Sequence, residues 1–259
     1  MIVVPDQGGR PLKAIVHGID TKWGPMPYTR TQEFASHGVI DSAEDITGGM
    51  GFEGLGHLDA FVRSGGLLIT LGGSGVLAAD SGIAREVTSH PPSGTPGSHV
   101  SAKVLRPEHP VTWGFEPVTH VFHGNERHFT VPEYWQGMVV MQYGTRTRAE
   151  AEREADRKDG VELAEAQPDN ADEAGEGPGE KKPELCLSGS VPDPSALERK
   201  PALLDVPVGK GRVLLFTWNP LHRYQNHHDF TFLTNALLFH DDFPSTPTER
   251  EMRAREAAE

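Results

Sequence analysis

The chain has 259 residues, with 24 Lys and Arg against 37 Asp and Glu, and therefore a formal net charge of −13. This length is enough for one large domain with its own hydrophobic core, and a single cysteine, Cys186, excludes a framework of intramolecular disulfides. The acidic balance argues against a nucleic-acid partner, which needs clustered Lys and Arg, and the apolar runs are too short for a membrane span.

The first part of the chain predicts the alternating units of an α/β fold. Ile2–Val4 is a short apolar strand pattern, and the residues around it lack the basic and long apolar regions of a signal peptide. Apolar residues at helical spacing predict a helix over 55–62, which a Ser-Gly-Gly segment ends. Leu67–Leu71 predicts a buried strand, followed by a Gly-Gly-Ser-Gly turn and a short helix over 76–80. A strand, a glycine turn and a helix form the unit of a parallel sheet with helices on both faces.

The C-terminal part predicts a hairpin and a closing helix. Two apolar runs, 202–206 and 212–218, flank a Gly-Lys-Gly turn, which is typical of an antiparallel hairpin. Apolar residues at helical spacing over 230–238 predict a last amphipathic helix. The fold class that follows is α/β, with a mostly parallel sheet and an antiparallel hairpin near one edge.

The distribution of charge predicts the domain boundaries. Residues 148–184 are rich in Glu, Asp, Ala, Gly and Pro and contain no aromatic side chain, so we expect an acidic disordered insertion. Residues 1–147 and 185–243 are expected to form one domain. Residues 244–259 are expected to form a charged tail.

Four segments carry a resemblance to a known family. In chain order they are IVVPDQG, DITGGMGFEGLGHLDAFVRSGGLLITLGG, RPEHPVTWGF and VPVGKGRVLLFTWNPLHRYQNHHDFTFLTNALL. Together they resemble the class I glutamine amidotransferase-like domain found at the C-terminus of some bacterial zinc carboxypeptidases of the carboxypeptidase A type. The Gly-Lys-Gly-Arg hairpin, with Asn-Pro-x-x-Arg after it, is the most specific part. The resemblance implies a flavodoxin-like, three-layer α/β architecture.

The same resemblance implies that zinc chemistry belongs to a separate peptidase domain. We expect that domain to be absent from this chain, because the His-x-x-Glu zinc-ligand pair of such peptidases is expected to be missing. The peptidase domain would then lie upstream in a longer protein or act as a partner in trans. The preferred hypothesis is therefore a non-catalytic accessory domain with an interaction or substrate-presentation role. A hydrolase and a small-ligand binding module are the alternatives. The sequence leaves oligomeric state and compartment open.

The turn after Leu67–Leu71 is the first candidate site. Catalytic members of the fold carry a cysteine on this strand-to-helix turn, whereas the turn here offers Ser74, and Val76 interrupts a Gly-x-Ser-x-Gly motif. A hydrolase would use Ser74 as nucleophile, His222 as base and Asp229 to orient His222. The alternative, which we favour, is a glycine-rich turn with Ser74 or Ser81 as a helix cap. The candidate ligand-binding residues at the same end of the sheet are Gly73, Gly75, Asn219 and Arg223.

Two groups of histidines are candidate metal ligands. The first group is His120, His123 and His128, and the second is His222, His227 and His228 with Asp229. Neither group has the spacing of a known structural zinc site, so we expect no physiological metal and no cofactor.

A Pro-rich loop near the N-terminus is the candidate contact surface. It contains Asp20, Trp23, Pro25, Pro27 and Tyr28, and aromatic side chains in such loops often form a binding rim or a domain contact. Core packing of these side chains would contradict the hypothesis. Further aromatic candidates for the same contact are Trp113, Phe115 and Trp135.

Overall fold

A computed structural model describes residues 1–92, 94–146, 150 and 185–245. The helices of this part are α1 (Leu12–His17), α2 (Gly51–Arg63), α3 (Gly75–Ala79) and α4 (His227–Leu238). The strands are β1 (Ile2–Val4), β2 (Leu67–Leu71), β3 (Thr88–Pro92), β4 (Ser98–Val104), β5 (Val118–His123), β6 (Arg127–Thr130), β7 (Val139–Tyr143), β8 (Cys186–Ser188), β9 (Pro201–Val208) and β10 (Gly211–Phe216).

Eight of these strands form one mixed sheet in the order β1-β2-β10-β9-β7-β4-β5, with β8 also paired to β4. The ladders β1–β2 and β2–β10 are parallel. The ladders from β10 through β9, β7 and β4 to β5 are antiparallel. The remaining strands, β3 and β6, pair with each other in a small separate sheet.

The two faces of the sheet are buried against different helices. In β2, Leu68 packs in a cluster with Leu58 and Val62 of α2 and with residues of α3. Its neighbour Ile69 packs on the opposite face, in a cluster that contains Phe232 and Leu233 of α4. This alternation follows from the two-residue period of a strand. Every residue of β2 is buried, because helices lie on both sides of it.

The prediction of an α/β fold with parallel and antiparallel strands is confirmed, and β9 and β10 form the predicted hairpin. The hairpin does not lie near an edge, however, but in the middle of the sheet between β2 and β7. An unbroken apolar run such as 213–216 is buried on both faces, which suits a central strand. Antiparallel pairing also extends beyond this hairpin to β7, β4 and β5.

Strands from both sides of the acidic segment share the one sheet, since β9 pairs with β7. Nearly all of the predicted insertion 148–184 and most of the predicted tail 244–259 lie outside the described residues. Within the described part of the chain, no helix combines the length and apolar character that crossing a membrane requires.

Candidate functional site

The carboxyl ends of three neighbouring parallel strands bring together turns that are far apart in sequence. Asp6 follows β1, Gly72 and Gly73 follow β2, and Asn219 follows β10. One carboxylate oxygen of Asp6 accepts the backbone N–H of Gly73 at 2.8 Å and that of Gly8 at 3.0 Å. The other accepts from the side-chain amide of Asn219 at 3.4 Å. Ligands of open α/β sheets bind at this end of the strands, so this is where a site is expected.

Gly72 occupies the sharp turn between β2 and the helical residues that follow it. Its φ is +55°, and a Cβ built there would lie 2.8 Å from a carboxylate oxygen of Asp6. A nucleophile elbow places a reactive side chain on such a strained turn, with backbone N–H groups beside it for an oxyanion. Here the turn carries no side chain, and the N–H of Gly73 is already bound to the chain's own carboxylate.

Ser74, the candidate nucleophile, is fully buried. Its hydroxyl accepts the backbone N–H of Leu71 at 2.9 Å and lies 2.9 Å from the carbonyl of Leu71 and 3.0 Å from that of Val4, to either of which it can donate. The side chain therefore ties β1 to β2. It does not cap α3. A hydroxyl in these surroundings faces the backbone of its own fold and not a substrate crevice, which gives no support to a nucleophilic role.

His222 lies at the same end of the sheet, where it packs against an aromatic side chain. Its ring stacks on Phe122, with 4.7 Å between the ring centroids. The pKa of His222 is lowered, first by burial and then by the charge of Arg223, while the charge of Asp6 acts in the opposite direction. Over the described residues, no hydrogen bond joins His222 to Ser74 or Asp229.

Some of the remaining predicted site residues lie in the crevice, and others lie outside it. Asp229 is fully buried and accepts the backbone N–H of Phe122 at 2.9 Å. A Cβ on Gly75 would lie 2.6 Å from the ring of Phe129, so Gly75 allows close packing against this ring. Arg223 is exposed in the left-handed region, with a φ of +50°. Two of the predicted binding residues, Gly73 and Asn219, donate hydrogen bonds to the same carboxylate, that of Asp6.

A buried histidine and carboxylate beside this crevice were missed by the sequence reasoning. His123-Gly124-Asn125-Glu126 has the His-x-x-Glu spacing of a zinc-ligand pair, so the expectation that this spacing is missing from the chain was wrong. His123 Nδ1 lies 3.7 Å from Glu126 Oε2, which is outside hydrogen-bonding distance, and both side chains are buried. The spacing in the sequence was the available signal. Across the described ranges, no group of three or more His, Cys, Asp or Glu could hold a metal ion.

Burial keeps this pair neutral. It lowers the pKa of His123 to about 4 and raises that of Glu126 to about 7. The charge of Asp6 adds to the rise at Glu126, whereas backbone N–H groups, including that of Asn219, oppose it. Between pH 4 and 7 the carboxyl therefore holds a proton and the imidazole does not, so the contact is not an ion pair.

The two histidine groups of the sequence are divided by the fold. His120 stacks on His228, with ring centroids 4.2 Å apart. His128 stacks instead on His90, at 4.9 Å. Parallel stacking of two imidazoles does not aim their lone pairs at one point. The arrangement thus differs from that of a metal centre.

Residues 18–50 form an irregular surface segment, which we call the arm. Two isolated bridges, Ile19 to Gly48 and Tyr28 to Ala43, hold it in shape, and none of its residues is buried. Trp23 is 70% exposed and Ile40 is fully exposed. The other exposed large apolar side chains of the arm are Ile19, Met26, Tyr28, Phe34, Val39 and Ile46.

Part of the arm is a preformed aromatic surface. The ring of His37 stacks between Tyr28 and Phe34, at centroid distances of 4.7 and 4.8 Å. An open cleft of about 660 Å³ lies beside this stack. Aromatic residues outside the arm were also predicted to contact a partner. Trp113 is partly exposed, whereas Trp135 is buried in the core and is not available for a contact.

No protein-family model matches the chain, and a search of curated proteins finds no match.

Proposed function

We propose that this chain is a non-catalytic accessory domain that docks on a partner protein through its arm. The observation that carries the proposal is the arm itself, in which eight large apolar side chains are exposed within 33 residues. Surfaces with such patches are typical of protein contacts. The proposed scaffold is the flavodoxin-like, three-layer architecture of amidotransferase-like domains, and helices on both faces of the sheet support it.

The occupied elbow supports the non-catalytic part of the proposal. At Gly72 the chain places a glycine where a nucleophile would stand, and Asp6 takes the adjacent N–H of Gly73. The crevice is also filled from within, because a Cβ on Gly73 would lie 1.6 Å from the carbonyl oxygen of Gly8. A hydrolase or a small-ligand site would have to displace these contacts.

The charge of the arm indicates the chemistry of the partner. Five of its residues are acidic and two, Lys22 and Arg30, are basic, which leaves a net charge of −3. The acidic residues are Asp20, Glu33, Asp41, Glu44 and Asp45. We infer a partner surface that is apolar at its centre and basic at its rim, because complementary charges favour docking. The proposed partner is a zinc carboxypeptidase domain of the carboxypeptidase A type.

A calorimetric titration tests the docking. The chain is titrated with a purified peptidase domain of this type from the genome that encodes it, and we expect saturable binding. Trp23→Ala combined with Ile40→Ser should weaken binding at least about 100-fold, as expected when central apolar contacts are removed. Leu238→Ser is the matched control, since Leu238 is exposed on α4 and outside the arm. Equal binding by the arm variant and the control would refute docking through the arm.

A labelling experiment tests the absence of a nucleophile. The folded protein is incubated with a serine-directed organophosphorus reagent and analysed by intact mass and peptide mapping. We expect no adduct at Ser74, because its hydroxyl is buried and bonded to the backbone. An adduct that disappears in Ser74→Ala would establish the hydrolase alternative instead.

A further inference from the structure

The outer edge of β5 is an edge of the large sheet. β5 is the last strand of the sheet and pairs with β4 along its whole length. On its other side, none of the strands in the described ranges pairs with it. An open edge exposes unpaired N–H and C=O groups and is a template for pairing with another chain, so folded proteins usually cover it.

Two consecutive residues at the start of α4 cover this edge. Asp229 accepts the backbone N–H of Phe122 at 2.9 Å, which shows that this N–H points away from β4. His228 Nε2 lies 2.9 Å from the hydroxyl of Thr119, and the His228 ring stacks on that of His120. The helix end thus holds β5 at two places, and Asp229 is fully buried where it does so.

The sequence of β5 favours pairing with another strand of the same sequence. Val-Thr-His-Val-Phe-His contains no Pro, no Gly and no Asp, Glu, Lys or Arg. β-Branched and aromatic residues favour strands, and short segments of this composition pair readily with identical copies of themselves. Two copies of β5 side by side in antiparallel orientation would bring no carboxylate, ammonium or guanidinium groups together.

We propose that His228 and Asp229 form an edge cap that prevents β5 from pairing with the β5 strand of a second copy of this chain. The cap replaces a neighbouring strand, because a side chain of α4 supplies the acceptor that the Phe122 N–H would otherwise find there. This inference rests on contacts of α4 and β5 and is independent of the docking role proposed for the arm.

The test removes the cap from the intact chain. In the double variant H228F/D229L, the Phe ring retains stacking while the hydrogen-bond partners of Thr119 and Phe122 are lost. Amide exchange by NMR at low protein concentration should show the Phe122 N–H exchanging at least about tenfold faster, as for a group released from a local contact. Sedimentation velocity over a 100-fold range of concentration (about 2 to 200 μM) should show a monomer–dimer equilibrium that the wild-type protein lacks.

Two further variants make the result specific. Asp229→Asn retains an oxygen that can accept from Phe122 and should behave as the wild-type protein in both measurements. Val118→Lys added to the double variant puts a charge on the uncapped strand and should restore the monomer, because a lysine on an edge strand opposes pairing with another chain. If the double variant does not fold, D229L alone is measured with the same readouts. A folded, uncapped variant that remains monomeric overturns the proposal, as does Phe122 exchange at the wild-type rate.

Discussion

The carboxylate of Asp6 lies 2.8 Å from the backbone nitrogen of Gly73, and this contact joins the turns that follow two neighbouring strands. The same carboxylate reaches the side chain of Asn219 beyond a third strand. One acidic side chain therefore organises the edge of the sheet where a ligand or a nucleophile would otherwise be expected.

Removal of the Asp6 carboxylate should destabilise the fold. In Asp6→Ala the N–H of Gly73 loses its acceptor, and an unsatisfied polar group in a buried turn costs about 1–3 kcal/mol. Asp6→Asn keeps one acceptor oxygen and should lose less. Urea unfolding followed by circular dichroism measures both values. Equal stability of Asp6→Ala and the wild-type protein would show that the contact does not organise this edge.

The turn at Gly72 allows a matched pair of glycine substitutions. Gly72→Ala and Gly8→Ala both place Ala at a positive φ, which costs about 1–2 kcal/mol. Only Gly72→Ala also brings a Cβ to 2.8 Å from Asp6, since a Cβ at Gly8 meets nothing within 4 Å. The free energy of unfolding should fall more for Gly72→Ala.

Combining Gly72→Ala with Asp6→Ala should abolish that difference, because the clash has then lost one partner. The measurement is again urea unfolding, here as a double-mutant cycle. Additive effects of the two substitutions would contradict a direct contact.

The contribution of Glu126 to stability should fall as the pH rises toward 7. Its pKa is about 7 in the folded state against 4.5 for an ordinary glutamate, so between these values only the folded state holds the proton. The free energy of unfolding then decreases with rising pH by up to about 1.4 kcal/mol per pH unit. Glu126→Gln remains neutral and should lose this slope.

Urea unfolding at several pH values from 4.5 to 8 measures the effect. Relative to the wild-type protein, Glu126→Gln should gain stability as the pH rises. Glu53→Gln, at an exposed position on α2, is the control and should follow the wild-type curve. Parallel curves for Glu126→Gln and the wild-type protein would mean that Glu126 is not protonated near neutral pH in the folded state.

Two tryptophans allow the stability cost of a substitution on the surface to be compared with that of a substitution in the core. Trp23 lies on the arm and is 70% exposed, so Trp23→Ala should change the free energy of unfolding by no more than about 0.5 kcal/mol. Trp218 is fully buried between Phe216 and Phe232, and Trp218→Ala should cost about 3–5 kcal/mol. Thermal unfolding of both variants tests the contrast. A large loss for Trp23→Ala would show that the arm is part of the core.

Local patterns predicted the local elements. The apolar run of β2, the glycine turn and the short helix after it follow from composition and spacing, as does the β9–β10 hairpin. The place of that hairpin between β2 and β7 did not follow, because hydrophobic periodicity reports burial and not the order of neighbours. The candidate site was only partly predicted for a related reason. Gly73 and Asn219 lie on recognisable turns, but the contact of Asp6 with Gly73 spans 67 residues.

The burial of Glu126 could not be predicted from the sequence either. A glutamate in a Gly-Asn-Glu-Arg stretch has the composition of an exposed turn, and only the packing of the turn against Asn219 and His123 buries it. The arm is the opposite case. Its aromatic residues were predicted to form a contact surface because aromatic side chains in such loops often do so, and Trp23 and Tyr28 are exposed.

The central position of β9 and β10 sets an order of events during synthesis. β1 and β2 on one side, and β7, β4 and β5 on the other, are translated first but meet only through these two later strands. A nascent chain that ends before residue 201 therefore holds two incomplete sheets with open edges. We expect the large sheet to be completed only after β9 and β10 have been synthesised. Until then the growing chain would depend on protection against aggregation.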